Sequence, residues 1–216
     1  TSINRYEALK AMGDRSFTTL YYLGVSQYAD NWPYGARDNL LEAHKKNPMD
    51  VNVLYYLAKA CARSSWKEEG IAYMNKAFDM VVPTDSMMIR LYDGLLECYK
   101  FHTKADPYEK IEVMKEAYSY TKKYTLFYQI AEIYDYQKDY VNAVHYYEKY
   151  MALVPKNKQA ALDSEGNPLP NVDTMYQKAR RRVEKIKVED FFRNGAHDDY
   201  FEPKMIRTQT KKTEVK

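Results

Sequence analysis

Large apolar side chains recur along this chain at steps of three and four residues, in stretches separated by short polar turns, and that spacing predicts a succession of amphipathic helices. The pattern also repeats at longer range. Leu20-Tyr21-Tyr22-Leu23 returns 34 residues later as Leu54-Tyr55-Tyr56-Leu57, and Trp32 and Trp66 share the interval. A period of this length predicts helix-turn-helix units that stack, because one such unit can bury its apolar face only against its neighbours.

In the first unit, residues 17–50, Leu20, Leu23 and Gly24 mark the inner edge of one helix, and Ala36, Leu40 and Ala43 that of a second. Pro48 then breaks the pattern. The second unit, residues 51–86, offers Leu54, Leu57, Ala58, Cys61, Gly70, Met74 and Ala77, with Pro83 displaced by one position. A fourth, residues 124–157, supplies Phe127, Ile130, Ala131, Tyr134, Ala143, Tyr147 and Pro155; Tyr150, where a small residue is wanted, is expected to splay its last turn.

The intervening unit, residues 87–123, admits two registers, one on Ile89, Tyr92 and Leu96, the other on Leu91, Gly94 and Leu95. The first is preferred. An insertion near residues 102–106 ends at Asp106-Pro107-Tyr108-Glu109, which reads as an N-cap, a first-turn proline and a glutamate reaching back as in a capping box. The following helix uses Ile111, Met114, Ala117 and Tyr118.

Over residues 17–157 the chain resembles the tetratricopeptide repeat (TPR) family, whose W-x2-L-G-x2-Y…A-x3-F…P pattern is matched in the first unit by Leu20, Leu23, Gly24, Gln27, Ala36, Leu40, Ala43 and Pro48. Leucine replaces the Trp and Gln27 the Tyr. The resemblance implies an all-α fold, a right-handed α-solenoid of stacked helix pairs.

Both ends extend that reading. Tyr6, Leu9 and Met12 in residues 1–16 fall where the second helix of a preceding unit would put its inner face, which together with the missing initiator Met suggests a chain cut from a longer precursor, so that its compartment is not legible. After residue 157 comes a polar loop, 158–171. Val172, Tyr176, Ala179, Val183 and Ile186 then give an apolar stripe over 172–194, ending near Asn194-Gly195, that reads as a capping helix. The tail, 195–216, carries Tyr200, Phe201, Met205 and Ile206 without a period.

Composition narrows the chemistry. Few glycines and 23 tyrosines suit stacked helices with a thin core, since a phenol buries its ring and keeps its tip wet. A formal charge of +3 is too balanced to drive nucleic-acid or membrane binding in bulk, and no apolar run is long enough to span a bilayer. Cys61 and Cys98, on helices of different units, read as buried thiols rather than metal ligands. No histidine is paired at ligand spacing, and no phosphate loop, nucleophile elbow or dinucleotide fingerprint occurs. Neither catalysis nor a cofactor is therefore expected.

What remains is surface. The stripe beside the buried one on each first helix carries Thr18, Tyr21, Val25 and Tyr28; Asn52, Tyr55, Lys59 and Arg63; Met87, Arg90, Gly94 and Glu97; and Thr125, Tyr128, Glu132 and Asp135. A concave groove lined by Tyr21, Tyr28, Tyr55 and Tyr128, flanked by Tyr22 and Tyr56, with Lys59, Arg63 and Arg90 as cations and Glu132 and Asp135 as acids, would suit a peptide or helix of a partner protein. Rigid aromatic side chains give contact area at small entropy cost, and such rings are expected to be partly open to solvent. Tyr21 and Val25 stand where a carboxylate-gripping TPR domain would carry a cation and an amide, so that mode is not expected. Two alternatives compete. The run Lys178, Arg180, Arg181, Arg182, Lys185 and Lys187 could hold an anionic polymer, or the chain could be an accessory domain of a larger enzyme or assembly. The tail's apolar pairs could themselves fill the groove.

Overall fold

The structure, a computed structural model, describes residues 2–159 and 173–195. Most of the expected loop, Val172 and the tail from residue 196 lie outside the described residues. Helices start where the sequence supplies acceptors for the open N–H groups of a first turn. Ser16 caps α2 (Phe17–Ala29), Asp50 caps α4 (Val51–Ala62), Thr84 caps α6 (Asp85–Phe101) and Asp106 caps α7 (Pro107–Thr121). Glu109 does not complete a capping box; it interacts instead with the hydroxyl of Tyr99. Trp32 and Trp66 precede α3 (Pro33–Lys46) and α5 (Lys67–Asp79) with no side-chain capping bond. With α1 (Ser2–Ala11), these helices make up a first compact unit ending at Lys122.

Within that unit α2 pairs with α3, α4 with α5 and α6 with α7, and α3, α4, α5 and α6 also pack in sequence. Close approach depends on missing side-chain atoms. A Cβ on Gly70 would lie 2.8 Å from the Ala58 carbonyl oxygen, and one on Gly94 2.5 Å from Met74 Cε and 2.7 Å from the Tyr55 ring. Gly94 decides the register of the third pair, since Leu91, Gly94, Leu95 and Cys98 are buried while Ile89 and Leu96 are only half-buried. The preferred register is therefore corrected to that of Leu91, Gly94 and Leu95; of Ile89, Tyr92 and Leu96 only Tyr92 is buried, against Phe78 of α5 and Tyr120 of α7.

Leu20, Ala36, Leu40, Ala43, Leu54, Leu57, Ala58 and Met74 are fully buried, as the 34-residue pattern requires. Gln27, in place of the expected tyrosine, is buried too. Its side-chain oxygen accepts from Asn39 Nδ2 at 2.7 Å, so two buried amides satisfy each other. Both cysteines are buried, and burial raises their thiols to about 11 for Cys61 and about 12 for Cys98, which keeps them protonated at neutral pH. The start of the chain packs more lightly than expected. α1 has no buried residue; it rests on α2 through the stacked Tyr6–Tyr22 pair and reaches α3 through a Lys10–Asn39 hydrogen bond, while Leu9 and Met12 are exposed because no described helix lies beyond α1 to cover them.

The second unit begins at Lys123 and contains α8 (Thr125–Tyr136), α9 (Tyr140–Leu153), α10 (Lys156–Gln159) and α11 (Thr174–Asn194). α8 and α9 form a pair, with Phe127, Ile130, Ala131, Ala143 and Tyr147 buried between them. α11 lies on α9 through Ala179, Val183 and Ile186, as a cap should. Two expectations change here. Tyr150 does not splay α9: the helix continues to Leu153, and the ring is fully buried against Tyr124 and Tyr128 with centroids 6.0 and 5.4 Å away. Residues 158–159, read as loop, belong to a short helical turn, Lys156–Gln159.

Two substitutions test the packing. Gly70→Ala should destabilise the first unit by about 1–3 kcal/mol because its new methyl meets backbone, and Gly94→Ala should destabilise it too, since the Met74 end can move aside but the buried Tyr55 ring, 2.7 Å from the new methyl, cannot do so freely. Thermal melts of the two variants, compared with the parent, check both. Lys138, left-handed at φ 61° between α8 and α9 where Asn31 (φ 59°) stands between α2 and α3, gives the opposite sign. Lys138→Gly should raise the melting temperature by relieving about 1 kcal/mol of backbone strain.

Candidate functional site

On the first unit, α2, α4 and α6 present one polar and aromatic face, and its centre is a carboxylate. Glu97 of α6 accepts from the Tyr28 hydroxyl at 2.5 Å and from Arg63 Nε at 2.6 Å, and its second oxygen lies 2.9 Å from Lys59 Nζ. Tyr28 thus ties α2 to α6 across α4. Burial alone would raise the Glu97 carboxyl, but the donors from Tyr28, Lys59 and Arg63 outweigh it and hold the group below its usual value. Lys59 shows the converse: burial works against its charge, yet Glu97 raises it. The Tyr28 phenol is raised, by burial first and then by its bond to Glu97.

Cations also cover the rings beneath them. Arg63 lies 4.3 Å from the Tyr28 centroid; Arg90 and Lys59 lie 4.5 and 4.9 Å from that of Tyr55. Arg90 donates to Asn52 Oδ1 at 2.8 Å. Tyr28 and Tyr55 are consequently buried, not half-open as expected, because flattened cations and neighbouring rings roof them. Tyr56 is half-buried, with edge contacts to Tyr21, Tyr28 and Tyr55. Tyr21 is half-buried on Phe17, and Tyr22 is 47% exposed. Gly94, expected on the open stripe, is in the core.

The remaining expected site residues form a cluster of their own in the second unit. Tyr128 is buried between Tyr147 and Tyr150, and burial, with Glu132 nearby, pushes its phenol up to about 12. Glu132 is exposed. Asp135 accepts a two-pronged bond from Arg182 of α11, at 2.6 and 2.7 Å, and a longer one from the Tyr147 hydroxyl. Its charge is therefore matched from inside the chain. The basic run on α11 is likewise partly spent: Lys187 pairs with Glu148 at 2.6 Å, and Arg180 and Lys185 approach Glu184 and Glu189 at 3.7 Å.

Sequence reasoning placed Glu97 on the right stripe but left out its role, although a signal was present. Arg63 and Glu97 are 34 residues apart, so one repeat step sets a cation beside an acid. The Arg182–Asp135 lock has no such periodic mark, because α11 stands outside the repeat. Among the described residues no group of three or more His, Cys, Asp or Glu side chains could hold a metal ion, and no helix is long and apolar enough to cross a membrane.

Paired helices, small residues at each close crossing and a covering last helix define a TPR-like helical repeat protein. One solved structure described as MamA protein shares that fold with a TM-score of 0.52 at 17% identity, over 86% of this chain and 98% of the other. A second MamA structure matches at 16% identity over 79% of this chain and 96% of its own, with a TM-score of 0.49. A thermophilic TPR protein of Thermus thermophilus matches at 14% identity over 86% and 89%, with a TM-score of 0.45. No protein-family model and no curated protein matches the sequence.

The Glu97 centre has a pH signature. Its depressed carboxyl stabilises the fold fully above the unfolded value near 4.5, and that contribution is lost as pH falls through the lower folded value. Glu97→Gln should therefore cost about 1–3 kcal/mol at neutral pH, with the gap to the parent closing in acid. Denaturant melts across that range check it; a gap that stays constant would show that the carboxylate's charge is not what the network uses.

Proposed function

We propose that the chain is a non-enzymatic protein-interaction scaffold, and that the α2–α4–α6 face of the first unit receives a segment of a partner protein. The observation that supports this reading is the cluster of cations on that face: Lys59 and Arg63 share the Glu97 carboxylate, and Arg90 donates to Asn52. Arg63 and Arg90 remain partly exposed above tyrosine rings. A guanidinium stacked on an aromatic keeps its outer edge for a further acceptor while losing little freedom on binding. The segment that suits such a face carries carboxylates beside apolar or aromatic side chains, the latter set against Tyr21, Tyr22 and Tyr56.

Tyr28 and Tyr55 enter this reading as the floor that positions the cations rather than as the contact surface. Tyr128, Glu132 and Asp135 belong to the second unit, where Asp135 is held by Arg182 and Glu132, though exposed, bonds the Tyr128 hydroxyl. Binding of an anionic polymer through α11 loses support from the ion pairs that occupy Arg182 and Lys187.

The reading is tested with partner captured by the intact protein. Arg90→Ala and Tyr22→Ala, at positions outside the buried core, should each weaken capture by about tenfold while leaving the melting temperature within a few degrees of the parent. Leu54→Ala, in the core, should instead lose about 2–5 kcal/mol of stability. Unchanged capture by both surface variants would remove this face from the interface.

A further inference from the structure

The turn between first and second helix carries an aromatic motif in two copies, and only one of them is filled. Trp66 and Trp32 occupy the same place one period apart, each the residue before a second helix, with nearly equal backbone angles (φ −106°, ψ 57° and φ −110°, ψ 74°). At Trp66 the preceding helix α3 lays the Arg37 guanidinium 3.7 Å from the ring centroid, with Glu69 and Asp38 as carboxylate partners and Tyr34 against the ring at 5.9 Å. Shifting Arg37 back by the same period of 34 gives Ile3 on α1, so the equivalent position carries no cation. Among the described residues no cation or aromatic ring packs on Trp32, which is 50% exposed. One side of its indole rests on Gly35, where even a Cβ would come within 3.1 Å.

We propose that Trp32 is a docking point for an arginine side chain of a partner protein, seated as Arg37 is seated on Trp66. The site lies at the inter-helix turn, apart from the α2–α4–α6 face, and does not rest on the function proposed for that face. Three features favour a guanidinium as the occupant. The filled copy shows that an indole in this backbone setting takes a flat cation on its face, and indole is the aromatic ring that holds cations best. Exposed Asp30, two residues before Trp32 in the sequence, adds a carboxylate to the same turn. Finally, the N-cap position itself favours Ser, Thr, Asp or Asn. Retaining an exposed tryptophan there forgoes capping energy without gaining full burial, a conflict between local and global preference of the kind that marks a functional position.

The chain holds only two tryptophans, so Trp66→Phe leaves Trp32 as the sole indole reporter. Titrating that variant with acetyl-Gly-Arg-Gly-Arg-Gly-amide should give a saturable change in emission. The same peptide with citrulline, which keeps the shape and removes the charge, should bind about two- to fivefold more weakly. Ile3→Arg in the same background supplies the missing internal cation and should suppress the response by a similar factor. If Trp66→Phe does not fold, calorimetry on the parent and on Trp32→Phe carries the same comparison, with weaker arginine-peptide binding expected in the variant. No response at Trp32, equal binding of citrulline or lysine peptides, or undiminished binding by Trp32→Phe overturns the proposal.

Discussion

A pair of short helices has more apolar surface than it can hide between its two members, and the rest of this structure follows from how the surplus is covered. Cover requires backbones to come close, and close approach requires that side-chain atoms be absent at particular places. Gly24 lies against Leu40 and the Ala36 carbonyl, Gly70 against the Ala58 carbonyl, and Gly94 against Met74 and Tyr55. Each glycine sits at a crossing of helices, not at a loop. At the α8–α9 contact of the second unit alanine suffices, and Ala131 and Ala143 are fully buried.

Tyrosine does the filling that branched aliphatics do in thicker cores. A phenol spans from the apolar seam between helices to its polar edge, which lets one side chain contribute to both layers. Tyr28 is buried yet bonds Glu97; Tyr92 is buried yet bonds Glu116 at 3.1 Å; Tyr147 is buried and reaches Asp135. In each case the hydroxyl meets a carboxylate. Burial and that neighbour together push the phenol up, to about 12 for Tyr92, so these groups act as neutral donors throughout the physiological range. The acids they meet are then shared with arginine or lysine, as at Glu97 and Asp135, and the polar face becomes a network fixed at both ends.

The fold was legible in the sequence because its determinants are periodic. Leu20 and Leu54, Tyr21 and Tyr55, Trp32 and Trp66 state the repeat outright, and the capping residues Ser16, Asp50 and Asp106 stand where the helices begin. The third register was misread because Ile89, Tyr92, Leu96 and Leu91, Gly94, Leu95 offer equal hydrophobicity. What separates them is the space left by Gly94, a property of the packed partner. Tyr150 was misjudged for a related reason: its position favours a small residue only if the space beside it is small, and a tyrosine-built seam formed with Tyr124 and Tyr128 has room for a ring.

The candidate face was legible as a list of residues but not as a surface. One-dimensional spacing assigns a side chain to a stripe, yet it does not say whether a long cation on the next helix will lie down over it. Arg63 and Arg90 do so, which turns Tyr28 and Tyr55 from contact residues into supports and moves the exposed chemistry outward to the guanidinium edges. The same physics operates at Trp66 under Arg37. Stacked guanidinium on aromatic is thus the recurrent way this chain closes its surface between helices, and it leaves positive charge held rigidly at the boundary with water. A partner meeting the α2–α4–α6 face gains most where its acceptors match those fixed edges, since the ordering of the arginines has already been accomplished in folding.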